Sequence, residues 1–81
     1  MNLYFEFEGR RRRAEVTWPK NGGDIVVMLT DAEMVKKFPP DLLFEIVAGN
    51  KVNYIIESSG NRRLSELQQV LGKRLQELVN R

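Results

Sequence analysis

The sequence predicts an α+β fold: two layers, a five-stranded antiparallel sheet in the element order βββ-α-ββ-α, and a long C-terminal amphipathic helix packed on one face. Three observations carry that expectation. Apolar and polar residues alternate through residues 3–8 and 13–18, the period of two that marks a strand with one buried face. Asn21-Gly22 and Gly49-Asn50 punctuate apolar runs as hairpin turns do. From residue 62 the period changes, and Leu64, Leu67, Leu71, Leu75 and Leu78 fall on one helical stripe, with Val70 and Val79 on its flanks.

The elements follow in order. In the first strand Leu3, Phe5 and Phe7 alternate with Tyr4, Glu6 and Glu8; in the second, Ala14, Val16 and Trp18 alternate with Arg13, Glu15 and Thr17. A type II′ turn at Gly9-Arg10, glycine first, sets Glu8 opposite Arg11, Glu6 opposite Arg13, Tyr4 opposite Glu15, Phe5 opposite Ala14 and Leu3 opposite Val16. That register gathers the apolar residues on one face and brings carboxylates to arginines on the other. A turn at Asn21-Gly22 continues the same face by pairing Val16 with Val27 and Trp18 with Ile25 in a third strand, 24–29. Thr30-Asp31-Ala32-Glu33 fits a capping box and opens a short helix through Met34, Val35 and Phe38, which Pro39-Pro40 ends. A second hairpin joins 42–47 to 52–57 through Gly49-Asn50-Lys51, aligning Phe44 with Ile56 and Ile46 with Tyr54. Asn61 caps the closing helix, 62–80, with Arg62–Glu66, Lys73–Glu77 and Glu77–Arg81 as i,i+4 pairs on its outer side.

Composition narrows the chemistry. The 81 residues are expected to form one domain, 1–81, with a thin core. Cysteine and histidine are both absent, which removes disulfides, thiol nucleophiles, the commonest metal ligands and the commonest general base. Asp24, Asp31, Asp41, Glu45 and Glu57 show no spacing that pairs them as acid and base, and Ser58 and Ser59 have no histidine to activate them. A protein without enzymatic activity, cofactor or metal is expected. No apolar run approaches the roughly 20 residues of a membrane span. The N-terminal stretch sets its arginines after a short alternating segment, the reverse of a secretory signal, so a cytoplasmic location without membrane contact is expected. The net charge of +2 describes a mixed surface rather than a strongly basic one.

Function is read from two faces of the predicted sheet. The face away from the long helix carries Tyr4, Val26, Met28, Leu43, Val47 and Ile55, more apolar than a sheet face open to water. Unless Met34, Val35 and Phe38 of the short helix cover it, or β-propensity alone sets valines on an exposed face, this patch is an interface. It makes the chain a protein-interaction module, a homodimer or the partner of another protein. The second reading is DNA or RNA binding through Arg10 and Arg12, which this register leaves without a carboxylate, together with Arg62 and Arg63, if hairpin tip and helix start converge. A third is a small-anion site at residues 58–63, "SSGNRR", which has a helix start but lacks P-loop spacing.

Overall fold

The computed structural model describes residues 1–20, 23–55 and 60–80. Five strands, β1 (Asn2–Phe7), β2 (Arg10–Thr17), β3 (Ile25–Leu29), β4 (Asp41–Val47) and β5 (Lys51–Tyr54), form one antiparallel sheet in sequence order. Helix α1 (Ala32–Lys37) joins β3 to β4, and α2 (Arg62–Val79) closes the chain, giving the expected order βββ-α-ββ-α. The sheet curls into a half-barrel, and α2 lies across its opening, against both edge strands β1 and β5. Inside, Leu3, Phe5, Val16, Ile25, Val27, Leu42 and Phe44 meet Leu64, Leu67, Leu71 and Leu75 of α2.

Two hairpin registers differ from the sequence expectation in the same way. The first turn is Glu8-Gly9, not Gly9-Arg10; both residues have left-handed backbones, φ 52° and 74°, the pair of positive angles a type I′ turn requires. Phe5 therefore faces Arg12, Leu3 faces Ala14 and Glu6 faces Arg11. In the second hairpin Ala48-Gly49-Asn50 forms the connection, with Gly49 and Asn50 at φ 82° and 57°, so Phe44 faces Tyr54 and Ile46 faces Val52. Moving a turn by one residue shifts the pairing by two. Every side chain keeps its face, so burial cannot distinguish the two registers, and the turn decides. The central hairpin pairs Val16 with Val27 as expected. Its Asn21-Gly22 turn lies outside the described residues, as do Ile56, Glu57, Ser58, Ser59 and Arg81.

Local caps explain the helix starts. The N-cap of α1 is Asp31 rather than Thr30: its carboxylate accepts hydrogen bonds from the backbone amides of Glu33 (3.0 Å) and Met34 (3.2 Å). Thr30 is occupied elsewhere, its hydroxyl donating to the Arg13 carbonyl at 3.0 Å. Glu33 consequently serves no capping box and turns toward the arginines of β2. Asn61 caps α2 as expected, accepting from the Leu64 amide at 3.1 Å. On the outer side of α2 Glu77 pairs with Arg74, not with Lys73.

The polar flanks of α2 also close both edges of the sheet. The Arg74 Nε donates to the Tyr4 carbonyl of β1 at 3.0 Å. Across the opening, the Val52 amide of β5 donates to the Gln76 side chain (2.9 Å), whose nitrogen donates to the Asn50 carbonyl (2.7 Å). Gln76 thus bonds β5 as another strand would, and covers part of an otherwise open edge.

Candidate functional site

The outer face of the half-barrel carries the predicted interface residues, but does not gather them all. Val26 and Leu43 are direct cross-strand neighbours, and the Ile55 amide donates to the Leu43 carbonyl at 3.0 Å, extending the row to the last strand. Met28, opposite Asp41, borders this row one pair further along. Met28 is 45% and Ile55 39% exposed, while Val26 and Leu43 are half-buried beneath their neighbours. Val47 stands apart, opposite Lys51 and separated from Leu43 by the outward Glu45. Tyr4 is farther away, opposite Arg13. Helix α1 does not cover this face: Met34 and Phe38 belong to the core inside the half-barrel, and Val35 is exposed.

Pattern reading missed two further exposed apolar residues. Ile46 and Tyr54 point to the same side as the core, yet are 42% and 44% exposed. Tyr54 lines a shallow groove beside Gly72 and Gln76 of α2, and Ile46 stands opposite Val52.

The arginine hairpin is organised by carboxylates. Arg12, 4% exposed, points inward at the end of the core face. Its guanidinium reaches Asp31 at 3.3 Å and Glu33 at 3.4 Å, fixing the start of α1 to β2. Arg10 reaches Glu33 from outside at 3.0 Å. Arg63, at the start of α2, grips Glu8 in the β1–β2 turn through two nitrogens, its Nε at 2.8 Å. The Arg63 guanidinium also lies 5.4 Å from the centre of the Phe38 ring, which packs edge-to-face on Phe7. Hairpin tip and helix start therefore converge, as the nucleic-acid reading requires. Three of its four arginines, Arg10, Arg12 and Arg63, nevertheless already hold carboxylates. Arg62 is exposed and has no ion-pair partner among the described residues.

These contacts set the charge states. The hydrogen bonds from Arg63 are the main reason the Glu8 carboxyl sits below its usual range, and Glu8 in turn raises the Arg63 guanidinium. Burial pushes Asp31 upward, but the amides of Met34 and Glu33, helped by Arg12, outweigh it and hold this carboxyl low. Burial likewise disfavours the charged form of Arg12; the bond and charge of Glu33, with Asp31, reverse that and raise it. Glu8 and Asp31 are held toward the ionised form, which suits an ion-pair member and not a proton donor.

The other two arginines of the run have no carboxylate partner among the described residues. The Arg11 guanidinium lies 4.7 Å from the centre of the Tyr4 ring, and the Arg13 Nε donates to the Thr30 hydroxyl at 3.3 Å. The expected division is reversed: Arg11 and Arg13, read as partners of Glu8 and Glu6, pair with no carboxylate among the described residues. Arg10 and Arg12, read as unassigned, are the paired ones. Comparison with known proteins adds no relative to these observations: no family model, no curated protein and no solved structure matches the chain.

Proposed function

We propose that this protein is a non-enzymatic interaction module that self-associates through the outer face of its half-barrel. The observation that carries the reading is the continuous apolar row Val26–Leu43–Ile55 with Met28 beside it, on a face that neither helix covers. An apolar row rimmed by Glu15, Asp41, Glu45 and Lys51 has the layout of an interface, an apolar centre inside a polar border. A second copy is the occupant we favour, because a two-fold contact covers the same patch on both subunits at once. The neutralised state of Arg10, Arg12 and Arg63 favours this reading over nucleic-acid binding.

Light scattering on a size-exclusion column tests it. The expected mass is near twice the 9.4 kDa of the chain, with Val26→Asp and Ile55→Asp each returning it to a monomer that keeps its circular dichroism. Val47→Asp, beyond the row, leaves the dimer largely intact. A wild-type chain that runs as a monomer at high micromolar concentration overturns self-association.

A further inference from the structure

Arg11 and Arg13 line one concave surface of about 460 Å³, with Tyr4, Arg12, Thr30 and Asp31 completing its wall. We propose that this concavity binds a phosphate monoester, held between the Arg11 and Arg13 guanidinium groups.

Charge is the first reason. The Asp31 carboxylate in the wall is committed to Arg12 and to the amides of Glu33 and Met34. Glu15, on the same face, takes the N-terminal amino group at 2.9 Å. Glu6 stands opposite Arg11 in register, yet the two form no ion pair. Among the described residues these two positive charges face outward without a counter-charge, while Arg10, Arg12 and Arg63 nearby all have one. A phosphate monoester, with about −1.5 to −2 charges near neutral pH, matches that pair; a phosphodiester or carboxylate, with one, leaves it half-compensated.

Geometry is the second reason. Arg11 and Arg13 stand on the same side of one strand, about 6.7 Å apart at their backbones, close enough for both to reach one tetrahedral anion. Both are already positioned by contacts that cost them no charge. The Tyr4 ring carries Arg11, and Thr30 holds the Arg13 Nε while its own hydroxyl proton goes to the Arg13 carbonyl. The terminal nitrogens of Arg13 have no partner among the described residues. Planar guanidinium groups held in this way offer two-pronged donors to phosphate oxygens with little further ordering.

The test is a titration of the labelled full-length chain at constant ionic strength, followed by ¹H–¹⁵N NMR. The probes are N-acetyl-phosphoserine amide, glucose 6-phosphate and dimethyl phosphate, with chloride as the control. The expected result is a saturable shift of the Arg11 and Arg13 side-chain Nε–H signals and the Thr30 amide with either monoester, and weaker binding of the diester. The tighter of the two monoesters tells a phosphorylated polypeptide from a sugar phosphate as the natural source, and equal affinity means that the phosphate alone is read. Arg11→Gln with Arg13→Gln abolishes the shifts, whereas Arg62→Gln retains them. Should the double variant not fold, Arg11→Gln alone, which breaks no hydrogen bond among the described residues, weakens binding roughly tenfold. Shifts that chloride reproduces, that survive the arginine changes, or that the diester elicits as tightly overturn the proposal.

Discussion

Arg12 shows how one residue can be polar in sequence and structural in place. It occupies an inward position of β2 opposite Phe5, where a strand pattern calls for an apolar side chain. The cost of burying its charge is offset by Asp31 and Glu33, which come from the first turn of α1 and the residue before it. Removing the guanidinium leaves those two carboxylates facing each other with no cation between them, as well as a void beside Phe5. Arg12→Ala is therefore expected to lower the urea midpoint more than alanine at any other arginine of the run, and Arg11→Ala to leave it unchanged. Equal midpoints for the two variants would mean that α1 is held by Met34 and Phe38 alone. This role was only half legible in the sequence. The alternation placed Arg12 at the end of the core face, but its partners depend on how α1 folds back over β2, and no local pattern encodes that. The same limit hid Arg11 and Arg13: the turn at Glu8-Gly9 sets Arg13 opposite Tyr4 instead of Glu6 and takes Glu8 out of the ladder to Arg63, far along the chain.

Among the elements, strand faces were readable, while of the three hairpin registers only the central one, Val16 opposite Val27, was. Alternation fixes which side of the sheet a residue occupies, and Leu3, Phe5, Ala14, Val16, Val27 and Phe44 all lie where it puts them. Register depends on the turn. Glu8, a residue that rarely adopts a left-handed backbone, does so here with its carboxylate anchored by Arg63. Helix α2 was the most legible element, because its leucine stripe needs only the helical period to declare the buried side. One position in it remains below its potential. Gly72 has an ordinary helical backbone, and a methyl group added there would meet the Phe44 ring at 3.8 Å, normal contact distance. Glycine inside a helix is less favourable than alanine by about 1 kcal/mol. Gly72→Ala is expected to stabilise the protein by that amount, raising the Tm by about 5 °C, as calorimetry would read it. A lower Tm would mean that the helix cannot accept a methyl group over Phe44 without moving off the sheet.

At the scale of the molecule, ion pairs reinforce junctions between elements that share one core. Arg63 joins the start of α2 to the β1–β2 turn, and Arg12 joins α1 to β2, so acid acts on both junctions together. The carboxylates concerned, Glu8 and Asp31, have folded-state pKa values below their ordinary 4.5 and 3.8. As pH falls, the unfolded chain takes up these protons first. The stabilisation is therefore complete above the ordinary values, and it drains away as pH drops through 4.5 and 3.8 to the lower folded-state values. With no histidine in the chain, no side chain of ordinary pKa titrates between about pH 5.5 and 7, and stability there should be flat. Thermal melts from neutral pH to about 2.5 would then show a plateau followed by a steep acid limb. Glu8→Gln isolates one junction: it melts lower than wild type at neutral pH but loses less on acidification, because the group that would titrate is gone. Were the variant and the wild type to fall in parallel, the Arg63–Glu8 grip would carry no pH dependence, and the acid limb would belong to Asp31 and the α1 junction.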